Sequence, residues 1–478
     1  MPDVFCGTED VLKFTKYLQR MNGIRGPKPS LISGNFYELK ENPNETFDEW
    51  IAEYGNHFGY FLGDRPILMI SDLDVIQNIF LKNSKQFKDR PKFFLNAKPF
   101  VSSVLALRGE RWRHVRRLMT PFFTHHKISS QEITDIVVNS VDTCVLKIMT
   151  QKEQIVKVDD RMQSITLDII CKCGLNMYDT DVHEENSQLK SAAKEFMASA
   201  HNSVVIFATF FPFLRPILSF INNYLTAGRM ADWILRHLNK QIQTETQNLS
   251  ANPNYSIDTK SNNVLKSMLK CFLEKKLERD ELTGNALILL LAAYDTTSMG
   301  LTYAFYCLAK HQDIQNTLRE EIGLHGYQSR YVDMVWSESL RLFPPVATFA
   351  QREAAEDVVL NDIFIQKGTI VQLPIWHINH DPNIWPEPHK FNPQRFLPEN
   401  SDGDERARAS FLTFGLGPRT CMGIELARHE ARYTLSKMVQ KFRIETCAQT
   451  PDPLELICPT EILYPKDGLY LRFIPLNE

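Results

Sequence analysis

The chain has 478 residues, enough by length for about three ordinary domains or fewer large ones. It is 43% hydrophobic, 23% charged and 11% aromatic, so it can build a large core. No low-complexity tract or heptad array is present, which excludes disordered, collagenous and coiled-coil classes. Lys+Arg 54 against Asp+Glu 57 leaves a net charge of −3, and no nucleic-acid partner is expected. Nine cysteines, odd in number and scattered behind no secretory-type leader, predict a reduced, cytosol-facing setting.

The first twenty residues carry too many charges to span a bilayer, and nowhere does an apolar run reach the roughly 20 residues a span requires. Segments 59–63 and 66–70 read as a β-hairpin, and 73–81 as a helix. Helical periodicity then predicts helices over 109–119, 131–149, 167–175, 189–200, 227–247 and 264–277. A long apolar helix is expected over 282–311; its stretch 282–309 holds one charge, Asp295, and reads as buried inside a large protein. Another helix, 331–342, is stopped by Phe343-Pro344-Pro345. The apolar patch 204–220, interrupted by Pro212, Arg215 and Pro216, is either core or a surface that rests on a membrane. Short strands are predicted at 358–360 and 370–373. Pro382, Pro386, Pro388, Pro393 and Pro398, interleaved with Trp385, Phe391 and Phe396, forbid regular structure but indicate a packed tract. A helix over 423–442 and strands near 469–473 complete a mainly α fold with a minor β part. The expected organisation is an N-terminal segment (1–25) without a clear anchor, then one catalytic domain over 26–478.

The strongest signal is Phe414-Gly415-Leu416-Gly417-Pro418-Arg419-Thr420-Cys421-Met422-Gly423. One cysteine follows two glycines, a proline and an arginine, and stands just before a helix. Backbone N–H groups and the positive dipole end of a helix stabilise a sulfur anion. A phosphate loop would end in Gly-Lys-Ser/Thr, which is absent. The plainer reading of such a cysteine is a buried thiol in a glycine-rich turn.

Three other constellations stand out. Glu338 and Arg341 share a helix face at i, i+3, among the apolar residues Val335, Trp336, Leu340 and Leu342. A buried pair of this kind wants a third partner, for which Arg395 in the proline tract is a candidate. Asp295-Thr296-Thr297 lies midway along the apolar helix, where an acid followed by alcohols is either functional or an internally bonded kink. Glu110-Arg111-Trp112-Arg113-His114-Val115-Arg116-Arg117 is a basic helix face, most simply a solvated one.

The cysteine segment resembles the haem-binding loop of the cytochrome P450 superfamily, matching Phe-x-x-Gly-x-Arg-x-Cys-x-Gly at every fixed position. The likeness runs from about Gly26-Pro27-Lys28-Pro29 to the C-terminus, and 340–396 looks most like the animal microsomal branch of drug and steroid oxidases and thromboxane synthase. It implies the cytochrome P450 fold, haem with Cys421 as the iron ligand, Phe414 packed near the sulfur, and Arg419 on a propionate. Trp112 and Arg116 are implied as further propionate partners, and so is Arg352. Arg111, Arg113 and Arg117 would suit an acidic electron donor. Glu338, Arg341 and Arg395 resemble the family's Glu-x-x-Arg and Pro-x-Arg-Phe triad, which would lock the proline tract beneath the cysteine loop. Asp295 and Thr296 match the Ala-Gly-x-Asp/Glu-Thr-Thr motif, with Ala293 where glycine is usual. The implied roles are a hold on oxygen and a water for Thr296 and proton relay for Asp295.

The implied activity is monooxygenation of a lipophilic substrate by O2, fed by NADPH-cytochrome P450 reductase with cytochrome b5 as a further donor. The setting is the cytosolic face of the endoplasmic reticulum membrane. A haem-thiolate isomerase of endoperoxides and an inactive haem-binding isoform are the alternatives. By resemblance the substrate pocket is lined from 92–107, 204–220, 289–296, 346–349 and around 461–464. The sequence departs from the branch at Arg25, where proline is common, in lacking the apolar N-terminal anchor, and in joining 322 to 331 by eight residues, a connection short enough to weaken folding. Cys171-Lys172-Cys173 has no zinc spacing and is read as core.

Overall fold

The computed structural model describes residues 21, 23–39, 42–93, 98–151, 154–198, 203–222, 226–251, 263–397, 409–458 and 461–476. Expectations for 1–20, for Pro398 and for residues 199 and 200 lie outside the described residues. The helix Arg279–Lys310 runs through the middle of the core. A capping box between Glu278 and Glu281 starts it, and it is buried along most of its surface, as a helix without a continuous polar face must be. Around it pack Val158–Ile169, Arg330–Leu342 and Ile424–Lys441. Their apolar sides form one large cluster with Gln131–Met149.

The β part is small. Strands His57–Leu62 and Arg65–Ile70 form an antiparallel hairpin. Ile370–Gln372 adds to it in parallel, and Gln351–Glu353 adds antiparallel at the edge. Ile155–Lys157, Tyr470–Pro475 and Phe442–Thr446 make a second sheet. Two short antiparallel pairs, Val358–Leu360 with Ile363–Ile365 and Leu456–Ile457 with Tyr464–Pro465, complete it. The N-terminal strap lies on the hairpin so closely that a Cβ on Gly26 would sit 1.8 Å from the Gly59 carbonyl oxygen, and the Arg25 carbonyl accepts the Gly59 N–H at 2.8 Å.

Helices Gly109–Met119 and Gln131–Met149 have the expected bounds. The helix expected over 167–175 starts at Val158 and ends in a wide turn, Ile170–Gly174. Asp159, Asp160, Arg161 and Gln163 give its first turns a polar look, yet Asp159 and Gln163 are buried. Gln312–His325 is a helix with no counterpart in the sequence reading, because only Gln315, Leu318 and Ile322 of its residues are buried. The short connection becomes a 3-10 turn, Gly326–Gln328, with the Tyr327 ring stacked 4.0 Å from that of Tyr433.

Segment 204–220 forms Ser203–Phe210, a 3-10 turn and Arg215–Asn222. Its large side chains are outside the core: Phe213 is 75% exposed, and Phe207, Ile217 and Phe220 more than half. No helix among the described residues is long and apolar enough to cross a membrane. Eight of the cysteines are described, all free, and Cys171 and Cys173 are buried in the core.

Candidate active site

The cysteine loop is shaped by two glycines with positive φ, Gly415 at +76° and Gly417 at +73°. A Cβ on Gly417 would lie 2.2 Å from the Phe80 carbonyl oxygen, so position 417 excludes every other residue. The loop closes on itself where the Cys421 N–H donates to the Phe414 carbonyl at 2.8 Å. Phe414 thus supports the cysteine through its backbone, and its half-buried ring packs on the core. The cysteine residue carries accessible surface, and yet burial raises its thiol pKa. Both hold when that surface faces an interior space. The Gly423 N–H and the Arg116 and Arg90 guanidinium groups oppose the rise and favour the thiolate.

Four arginines surround this loop. Arg116, on Gly109–Met119, donates to the Thr420 carbonyl at 2.9 Å. Arg352, on the edge strand, donates to the Leu416 carbonyl at 3.0 Å. Arg419 donates to Asp89 at 2.9 Å, to the Lys88 carbonyl at 3.1 Å and to the Leu107 carbonyl at 2.9 Å. Its guanidinium lies 3.8 Å from the centre of the Trp112 ring. Trp112 is therefore the platform beneath Arg419. Arg90, which nothing in the sequence singled out, lies over the Phe349 ring at 4.9 Å, with its Nε unpartnered among the described residues.

Burial lowers the pKa of all four, and mutual repulsion adds to this at Arg90, Arg352 and Arg419. Of the four, Arg419 is the one with an acid partner among the described residues, Asp89. Arg90, Arg116 and Arg352 form no ion pair among the described residues. Positive charge is in surplus around this sulfur, which suits an anionic group bearing carboxylates. Asp89 also accepts the Gly109 N–H at 2.8 Å, so one side chain starts the arginine-rich helix and anchors Arg419. Of the arginines expected to face an electron donor, Arg111 is paired with Glu281 and Arg113 with Glu110, while Arg117 is exposed.

On the central helix, every residue from 281 to 309 is buried save Ala292, Ala293 and Thr296. These share one face at i, i+1 and i+4. Thr296 donates its hydroxyl to the Ala292 carbonyl at 2.7 Å. Asp295 points elsewhere: it is 1% exposed, accepts from Gln163 Nε2 at 3.2 Å and from the Tyr464 hydroxyl. Burial pushes its carboxyl up to about 6, against the pull of those two donors.

Beneath the loop, Glu338 and Arg341 are both fully buried. Arg341 Nε and Nη2 donate to the two Glu338 oxygens at 2.7 and 2.9 Å, and Nη1 donates to the Asn379 carbonyl at 2.6 Å. Arg395 Nε donates to Glu338 Oε1 at 3.3 Å, and the Asn392 N–H donates to the same oxygen at 3.0 Å. Ring contacts run from here to the loop, Trp385 to Phe396 to Phe411 to Phe414, with centroids 5.2 to 6.4 Å apart.

The structure thus brings Cys421, Phe414, Arg419, Arg116, Trp112 and Arg352 together, and separately Glu338, Arg341 and Arg395. It adds Arg90 and Asp89 to the first group, and Gln163 and Tyr464 to Asp295. A sequence model of the Cytochrome P450 family matches residues 24–473. Cytochrome P450 3A31 of Mesocricetus auratus is 28% identical over 475 residues, covering 95% of this chain and 92% of its own. Thromboxane-A synthase of Sus scrofa is 28% identical, with 95% and 92% covered. Cytochrome P450 3A5 of Homo sapiens is 28% identical, with 91% and 88% covered. With a mainly α fold and a family match across nearly its whole length, the chain belongs to the cytochrome P450 family, as a monooxygenase that binds haem through a cysteine thiolate.

Proposed function

We propose that this chain oxidises a lipophilic small molecule of the steroid, fatty-acid or xenobiotic class, with Cys421 as the axial haem ligand. Residues 26–478 act as one catalytic unit. Electrons come from NADPH-cytochrome P450 reductase, with cytochrome b5 as a further donor, at the cytosolic face of the endoplasmic reticulum membrane. The observation that carries this reading is the surplus of buried guanidinium groups around an interior thiol. Haem fits that donor set: Arg90, Arg116, Arg352 and Arg419 would hold its two carboxylates, and Cys421 would supply the sulfur to its iron. When bound, haem supplies the iron chemistry that activates O2, and thiolate donation favours O–O cleavage.

The chain's own residues do the rest. The Gly423 N–H and the nearby arginines favour the thiolate against the burial that raises the thiol pKa, and ionisation would be completed on iron binding. Ala292 and Ala293 keep one face of the central helix low. The Thr296 hydroxyl, whose proton is given to Ala292, keeps an oxygen free to accept from a water. Asp295, next to it in sequence and with its carboxyl raised to about 6, takes up and releases a proton close to neutral pH. A lipophilic substrate is supported by the rings of Phe93, Phe100 and Phe349, which meet at 5.0 and 6.4 Å. A resting contact with a membrane is supported by exposed Phe207, Phe213, Ile217 and Phe220, and an acidic partner by exposed Arg117.

The test is the carbon monoxide difference spectrum of the reduced chain. A red-shifted thiolate-type Soret band is expected, and Cys421→Ala abolishes it. Retention of the band in that variant overturns the ligand assignment. With reductase and substrate, Thr296→Ala is expected to lower product per electron pair by at least about tenfold while haem content holds. Product formed without electron consumption would replace oxygenation by isomerisation.

A further inference from the structure

Asp295 and Thr296 are neighbours in sequence but lie about 100° apart around the helix. The face of Thr296 is open, and that of Asp295 is closed by two other elements. Gln163, on Val158–Ile169, supplies a donor to Oδ1, and Tyr464, on the short strand Tyr464–Pro465, supplies one to Oδ2. Tyr464 is held in place by backbone bonds on both sides. The Leu463 N–H donates to the Pro345 carbonyl at 2.9 Å, the Leu463 carbonyl accepts from the Tyr303 hydroxyl at 2.6 Å, and Tyr464 pairs with Ile457. Its ring packs with Met299 and Tyr303 of the central helix. The nearby Glu461 carboxylate is tied to the Thr348 hydroxyl at 2.7 Å.

We propose that Tyr464 and Gln163 are the positioning residues of Asp295: one donor on each oxygen fixes the carboxyl group on the closed side of the central helix and decides whether it is carried charged or protonated. This rests on the reading of Asp295 as part of the proton supply. The chemistry separates the two donors. An amide N–H can only donate, whereas a phenol hydroxyl donates or accepts. When Asp295 takes up a proton, that proton sits on Oδ2 and is given to the Tyr464 oxygen, whose own hydrogen turns away. Tyr464 is the partner that serves both states.

The other charged and titratable groups facing Asp295 are few. Lys194, on Gln188–Ala198, favours the charged form. Asp159 and Asp160 lie on the facing helix, and Asp160 is neutralised by Lys190 at 2.9 Å. Tyr294 and Tyr303, on the central helix itself, are buried and kept protonated. Desolvation and the two donors thus set the balance at Asp295.

The experiment is infrared difference spectroscopy of the holoenzyme across pH, following the protonated-carboxyl stretch that Asp295→Asn removes. In the parent protein the band is expected to titrate near 6. Tyr464→Phe keeps the ring and loses the donor, so the midpoint rises by about one pH unit, a tenfold gain in proton affinity. Gln163→Met raises it in the same direction. The pH profile of product per electron pair shifts in parallel. A midpoint that stays or falls in Tyr464→Phe overturns the proposal. If the band moves as expected but coupling ignores pH, the positioning stands and the proton-supply reading falls.

Discussion

Two buried charged clusters lie within one loop of each other, and they are built on opposite rules. In the Glu338–Arg341–Arg395 cluster one carboxylate receives three side-chain donors and a backbone N–H, and Arg341 also donates to a backbone carbonyl. Both arginines meet the same acid, and the hydrogen bonds close within the protein. Around Cys421 stand four guanidinium groups of which Arg419 alone has an acid, Asp89, among the described residues, where Arg90 Nε also has no partner. A closed cluster fixes geometry, while one left open in charge is built to receive something. Buried ions are costly unless compensated, so an uncompensated set marks the binding site, and the compensated one marks its foundation.

The largest effect is expected from opening the closed cluster. Glu338→Ala leaves two buried guanidinium groups without their acid, at a loss of about 3–5 kcal/mol. The proline tract then loses its tie to Arg330–Leu342, and the ring chain to Phe414 loses its base. Little folded, haem-loaded protein is expected, read as soluble yield and as the thermal midpoint of what remains. A variant with a normal midpoint would make the triad a bystander.

Next in size is the same operation on the open cluster, with a different outcome. Arg90→Met removes one of several like charges and an unpartnered nitrogen, so unfolding in urea should change little. What suffers is the hold on the haem carboxylates. Losing one charged hydrogen bond of about 1.5–3 kcal/mol should speed haem transfer to a scavenger protein by about tenfold or more. If Arg90→Met instead lowers stability as Glu338→Ala does, the distinction between the two clusters fails.

How far the sequence reveals these clusters follows from how local their signals are. The cysteine loop is legible because its requirements, two left-handed turns and a helix start, fall within ten residues. Glu338 and Arg341 are legible because i, i+3 is a helical spacing, and burial then calls for Arg395. Asp89 and Arg90 have no such local signature. Asp89 meets Arg419, 330 positions on, and Arg90 lies over the Phe349 ring; no spacing encodes a contact that only the tertiary fold creates. Gln163 was hidden for a second reason: the polar first turns of Val158–Ile169 do not resemble a core helix until their partners, Asp295 among them, are in place. The helix Gln312–His325 was missed because three buried residues in fourteen make a faint stripe.

A third buried acid tests the rule with a smaller effect. Glu430, on Ile424–Lys441 just past the cysteine loop, is 1% exposed, and neither carboxyl oxygen has a partner among the described residues. Burial holds its pKa well above the ordinary value, so the folded chain keeps it neutral. The rule for closed and open charge then places Glu430 in neither class, as a polar group that carries no charge. The sign of its pH dependence follows from linkage. At neutral pH the folded state binds a proton that the unfolded state has released, so stability falls as pH rises above the ordinary carboxylate value of 4.5. Each tenfold difference in proton affinity between the two states is worth about 1.4 kcal/mol. Glu430→Gln cannot ionise, so relative to the parent its stability should gain between pH 5 and pH 8, measured by urea unfolding at each pH. Asp295 adds a slope of the same sign up to about 6, but it is present in both proteins and cancels in the difference. A difference that stays flat with pH would mean that Glu430 is charged in the fold, and with a charge it would need the compensation that the triad has and this site lacks.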